Sequence, residues 1–143
     1  MTAPLRVLIV EDEAVILMQM EMLIQDAGHV VVGTAMRSEE ATGLARELLP
    51  DIALVDLHLC DGDSGVVVAQ KLHAMGGVMV VFVTANPRQL GDDFAGAAGV
   101  IVKPFTRAVV ATGMPYLVEC LRRPPPAIAL PTGMRMAPEY LPR

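Results

Sequence analysis

Five polar residues stand where short apolar runs end. Glu11 and Asp12 follow Arg6-Val-Leu-Ile-Val10, and Asp56 follows Ile52-Ala-Leu-Val55. Thr84 follows Val78-Met-Val-Val-Phe-Val83, and Lys103 follows Val100-Ile-Val102. A carboxylate at the rim of an apolar core is costly unless it is paired, hydrogen-bonded or metal-bound. Asp56 alone is therefore either a cap on the loop that follows or part of a site. If the runs are neighbouring strands of a parallel sheet, all five residues project from one edge. Three carboxylates converging there repel one another unless a cation sits between them. A few hard oxygen donors with room for water suit Mg²⁺ better than zinc. A carboxylate, a hydroxyl and a lysine beside Mg²⁺ form a set for phosphoryl transfer. Asp56 can attack phosphorus to give an acyl phosphate. Mg²⁺ and Lys103 would offset charge on the equatorial oxygens in the transition state. The Thr84 hydroxyl can donate to a phosphoryl oxygen only after attachment, and a group that engages one chemical state only can shift a conformational equilibrium.

The elements between these runs must do the positioning. From Ala14 to Ala27 apolar residues recur at helical spacing, and Gly28 stands as the glycine past a helix end. Val30 to Val32 reads as a strand. Ser38 is the expected N-cap of a helix that carries Glu39 and Glu40 in its first turn, where the helix dipole favours them, and that stops before Pro50. Asp61-Gly-Asp-Ser-Gly65 reads as a turn and helix start, with the helix running to Met75 and broken by Gly76-Gly77. Asp61 and Asp63 are read as a solvated turn rather than metal ligands. Met18 and Met22 share a helical face and are expected to pack. Thr106 should cap a last helix reaching Arg122, with a kink or split at Gly113-Met-Pro115. Between Pro87 and Gly99 the pattern is weak, and a short or mobile helix is expected there. Strands alternating with helices imply an α/β fold, a parallel sheet with helices on both faces, and a ligand site outside the carboxyl ends of the strands.

A chain of 143 residues with 53% apolar content holds one domain with a real core. Its net charge of −5, with no basic stripe and no Trp, argues against nucleic acid or anionic membrane as a partner. No apolar run approaches a bilayer span, and the N-terminus lacks the layout of a signal peptide, so a cytoplasmic location is expected. Cys60 and Cys120 form neither a metal-ligand spacing nor a disulfide framework and read as reduced thiols. Beyond Arg123 comes Pro124-Pro-Pro126, and residues 124–143 are expected to be an extended or disordered Pro-rich tail rather than a second domain.

Glu11-Asp12, Asp56, Thr84-Ala85 and Lys103-Pro104-Phe105 resemble the receiver domain of two-component response regulators over about residues 5 to 123. The resemblance implies a flavodoxin-like, doubly wound, five-stranded parallel sheet of order 2-1-3-4-5. It implies that residues 1–123 form the receiver, that Glu11, Asp12, Asp56 and the backbone carbonyl of His58 hold Mg²⁺, and that Asp56 is the phosphoacceptor. The donor would be a phosphohistidine on a histidine kinase or phosphotransfer protein. Thr84, Ala85 and Lys103 would then engage the phosphoryl group, and Pro104 is the candidate for a cis bond after the lysine. In many receivers an aromatic residue lies three positions before the lysine. Here that position is Val100, as in a subgroup lacking the aromatic switch, so the Pro87–Gly99 segment is the expected switching element instead. The implied function is a stand-alone phosphorylation-dependent switch, not a conventional enzyme, that signals through an unnamed protein partner or a phosphorelay. Its docking face would be the fourth helix, fifth strand and last helix. Two alternatives stand beside it. One is a phosphorylation-independent interaction module. The other is an aspartate-nucleophile phosphatase, which needs a second aspartate where this chain has His58. The His58 side chain itself reads as a solvent-facing loop residue beside the site.

Overall fold

The structure is a computed structural model that describes residues 3–59, 65–91 and 93–143. Cys60, the Asp61–Ser64 turn and Asp92 lie outside the described residues. Among the described residues six strands form one sheet: β1 (Arg6–Val10), β2 (Val30–Ala35), β3 (Ile52–Asp56), β4 (Met79–Thr84), β5 (Gly99–Val102) and β6 (Met134–Met136). Their order is β2-β1-β3-β4-β5-β6. The first five pair in parallel, in the expected order 2-1-3-4-5, and β6 joins β5 antiparallel. The helices are α1 (Ala14–Asp26), α2 (Ser38–Leu48), α3 (Gly65–Met75) and α4 (Arg107–Arg122).

Alternation along the central strands builds two cores. Ile9, Ile52, Leu54, Val81 and Val83 face one side with α1 and α4 residues such as Ile24 and Leu117. Leu8, Ala53, Val55 and Phe82 face the other with Ala41 and Ala45 of α2 and Leu72 of α3. Every residue of β3 is buried, as expected for a strand covered on both faces. That is why its sequence is continuously apolar up to Asp56. Gly28, at φ 91°, ends α1 in the left-handed region as its position suggests.

Several expectations need correction. The sheet has six strands rather than five, because the Pro-rich tail folds back. Met134 and Met136 are buried while Arg135 between them is exposed, a period-two pattern too short to stand out in the sequence. A 3₁₀ turn at Pro138–Tyr140 follows, so the tail is neither disordered nor free of the domain. The last helix is not split. α4 runs through Pro115, which is exposed, as is Ala111, whose carbonyl loses its helical partner on the side open to water. Ser38 is the first helical residue of α2, not its cap. Arg37 takes the cap position without a side-chain bond. Thr106 does cap α4, accepting from Val109 N at 3.2 Å. Between Pro87 and Gly99 the described residues form two 3₁₀ turns, Pro87–Gln89 and Phe94–Gly96, instead of a regular helix. Met18 and Met22 are exposed by 68% and 53%, so they are not packed.

Candidate functional site

The carboxyl ends of β1, β3, β4 and β5 lie side by side, which brings the five residues to one edge. Glu11 and Asp12 sit in the β1–α1 loop. Asp56 and Thr84 are the last residues of β3 and β4, and Lys103 follows β5. Backbone bonds fix their spacing. Lys103 N donates to Thr84 O at 2.8 Å, Leu57 N to Val83 O at 3.4 Å, and Glu11 N to Ala35 O at 2.9 Å.

Glu11 is fully buried, and Asp56 and Thr84 are nearly so. Lys103 Nζ lies 3.0 Å from Glu11 Oε1 and 3.7 Å from Asp56 Oδ1. Glu11 Oε2 also accepts from Glu13 N at 3.2 Å. Burial, then the neighbouring Asp56, pushes the Glu11 carboxyl up to about 7 despite the lysine. The Lys103 amine is held above its ordinary value. Burial opposes this, but the Glu11 hydrogen bond and the Asp56 charge outweigh it. Asp56 Oδ1 accepts from His58 N at 3.3 Å. Thr84 Oγ1 accepts from Asn86 N at 3.1 Å, which leaves its hydroxyl proton available to a ligand in front of it.

A cavity of about 350 Å³ opens over Asp12, Asp56, Thr84 and Lys103, with His58 and Ala85 at its mouth. Glu13 and Asn86 also border it, and neither was picked out from the sequence. The only signal was nearness, since each lies within two residues of a site residue. The His58 side chain is exposed, in line with the solvent-facing reading. The Lys103–Pro104 bond is cis. Val100 is fully buried among the residues beneath α3, so it offers no side chain to turn between two positions.

The donor set fits a hard divalent cation. One oxygen from each of Glu11, Asp12 and Asp56 lies within 4.8 Å of the others. With all three ionised and one lysine beside them, the cluster is two charges short of balance. Oxygen donors at this spacing are the chemistry Mg²⁺ takes.

The phosphoacceptor candidate is also held by a close approach the sequence did not reveal. Gly65, the first residue of α3, donates to Leu57 O at 2.6 Å. A Cβ at Gly65 would lie 2.1 Å from Asp56 O and 2.9 Å from Leu57 Cα, both backbone atoms that cannot swing aside. Gly65→Ala should therefore cost about 1–3 kcal/mol and displace the end of β3. Urea unfolding should show the loss, and a midpoint within error of the native protein would contradict this packing.

Residues 7–112 match the family model described as response regulator receiver domain. Over 107 residues the chain is 39% identical to the phyllosphere-induced regulator PhyR of Methylorubrum extorquens, covering 73% of this chain and 40% of that protein. The solution structure of the PhyR receiver domain from Erythrobacter litoralis superposes with a TM-score of 0.75 at 32% identity, covering 85% of this chain and 95% of that one. The structure of the anti-anti-sigma factor PhyR from Bartonella quintana is similar, with a TM-score of 0.65 at 30% identity over 77% of this chain and 46% of that one. The chain thus spans roughly half the length, or less, of the curated relatives it matches (40% and 51%).

Proposed function

This chain belongs to the response regulator receiver domain family, and we propose that it is a phosphorylation-dependent switch whose acceptor is Asp56. The observation that carries the reading is the geometry around that one carboxylate. Asp56 is buried and faces the cavity, with a lysine amine 3.7 Å away and the donor-ready Thr84 hydroxyl on the next strand. Asp56 attacks the phosphorus of a phosphohistidine, the phosphorus–nitrogen bond breaks, and the imidazole leaves with the bonding pair. Glu11, Asp12, Asp56 and the His58 carbonyl would hold Mg²⁺, which when bound neutralises charge on the transferring group. The remaining work falls to the chain. Lys103 is at present shared between Glu11 and Asp56. A phosphoryl group on Asp56 would draw its amine forward, and the Thr84 hydroxyl would donate to a second oxygen. The Thr84 hydroxyl would engage one chemical state only and Lys103 would change partners between the two, so their movement can report the state of Asp56.

The donor protein would approach over α1. Exposed Met18 and Met22 lie on that helix, and a groove of about 710 Å³ lined by Ile16, Met22, Phe105 and Lys103 runs from α1 to the site. Apolar exposure of this kind beside a reactive cavity suits a transient protein contact. Downstream, the likeness to an anti-anti-sigma factor supports signalling by protein contact rather than by DNA. Among the described residues no helix is long and apolar enough to cross a membrane.

The test is intact mass after incubation with acetyl phosphate, with Mg²⁺ or with a chelator. One added phosphoryl group is expected with Mg²⁺ and none with chelator. Met22→Glu should leave that uptake unchanged and slow transfer from a phosphohistidine protein several-fold. No adduct from either donor would overturn the switch reading in favour of a phosphorylation-independent module.

A further inference from the structure

The outer edge of β5 carries a segment of the chain itself. Gly99, Val100 and Ile101 pair with Met136, Arg135 and Met134. Val102 N donates to Gly133 O, and Ala137 N to Ala98 O, each at 2.8 Å. The receiving surface is shaped for this strand. A Cβ on Gly99 would lie 2.3 Å from Arg135 O and 2.9 Å from Met136 Cα, and one on Gly113 of α4 would lie 3.1 Å from Met134 Sδ. Backbone bonds along an open edge, with sockets for alternate apolar side chains, are the chemistry by which sheets take up an extended peptide.

The ladder on this segment is short, although beyond it Ala137 is buried, Tyr116 Oη donates to Tyr140 O and Tyr140 packs against the core. Three residue pairs make up β6. The lead-in from Pro124 leaves Ile128 41% and Leu130 36% exposed. A groove of about 280 Å³, lined by Pro87, Phe94, Arg135 and Pro138, lies between the 3₁₀ turns and the tail.

We propose that the β5 edge is a docking surface for an extended segment of a partner protein, apolar at two positions two apart with a basic residue between them, and that residues 131–140 are its resident occupant in cis. The resident strand displays the required chemistry, with Met134 and Met136 inward and Arg135 outward. A basic middle residue suits a chain of net charge −5. A partner strand would displace the tail and take over its ladder. Docking here does not depend on Asp56 being phosphorylated, so it goes beyond the switch reading and can fail independently of it.

The probe is a fluorescent peptide with the sequence of residues 130–141, read by anisotropy against the full chain. Met134→Ser with Met136→Ser loosens the resident strand and leaves β5 untouched. The peptide should bind this variant at least tenfold more tightly than the native chain. Adding Gly99→Ala should abolish that binding, because the new Cβ would strike the backbone of any docked strand. Equal affinity for both folded proteins, or binding that survives Gly99→Ala, would overturn the proposal. So would a concentration-dependent dimer without bound peptide, which would assign the edge to a second copy. Should the double variant fail to fold, hydrogen exchange on the native chain decides. The amides of Val102 and Ala137, which bridge β5 and the tail, should exchange at least tenfold faster than that of Leu54. Equal protection would make the tail a permanent strand and overturn the proposal.

Discussion

Asp56→Asn is expected to abolish phosphoryl uptake from acetyl phosphate, a loss on the order of 10³-fold or more for a removed nucleophile, while the protein stays folded. The amide keeps the volume of the carboxylate and keeps an oxygen to accept from His58 N, now at 3.3 Å from Asp56 Oδ1. It removes one of three clustered negative charges, and Asp56 is among the causes that raise the Glu11 carboxyl. In chelator the variant should therefore be at least as stable as the native protein. Intact mass and urea unfolding check the two halves. An adduct of undiminished yield would move the acceptor elsewhere. A large loss of stability would mean that Asp56 is chiefly a cap on the β3 loop.

Lys103→Met should have the opposite effect on stability. Lys103 Nζ is 3.0 Å from a fully buried Glu11 and 3.7 Å from Asp56, so deleting it leaves two buried carboxylates facing each other. Breaking a fully buried pair costs about 3–5 kcal/mol. The Lys103 side chain keeps 20% exposure, so a loss of about 2 kcal/mol is expected in chelator, with Mg²⁺ recovering part of it. The pH dependence follows from Glu11, whose carboxyl is raised from 4.5 to about 7. Folding makes this acid hold its proton more tightly, so its contribution to stability is most favourable below the unfolded value and declines as pH rises through about 7. In chelator, stability should fall from about pH 5 to about pH 8. It should fall further in Lys103→Met, because the lysine hydrogen bond is one of the causes that lower the Glu11 value. Denaturant midpoints across this range, with and without Mg²⁺, are the measurement. A flat profile in both proteins would show that the Glu11 proton is not coupled to folding.

The two tests address different residues of one cluster. Asp56 is tested as the atom that reacts, Lys103 as the charge that keeps the unphosphorylated cluster folded. Lys103 also starts from the end of β5, the strand whose outer edge holds the tail. Any displacement of that strand would be felt at both places, which is why the peptide experiment is designed without phosphorylation.

The parallel sheet and the five residues at its carboxyl edge were legible in the sequence, because both depend on local pattern, whereas the strand order was implied only by the resemblance to the receiver family. A strand buried on both faces must be apolar throughout, as Ile52–Val55 and Val80–Val83 are, and a polar residue ending such a strand must lie at the sheet edge. The remaining features depend on contacts distant along the chain. Glu11 and Lys103 are 92 residues apart, and nothing in Glu11-Asp12 tells which carboxylate is sealed against the lysine. Gly65 resembles any glycine near a helix start until the backbone of Asp56 is placed against it. Met18 and Met22 carry the periodicity of a core face, but α1 turns them to water. Met134-Arg-Met136 amid prolines has no strand signal of its own. It becomes a strand because β5 presents an open edge with Gly99 where a backbone must pass, and because α4 presents Gly113 beneath Met134. The ladder partner, not the propensity of the segment, fixes that conformation.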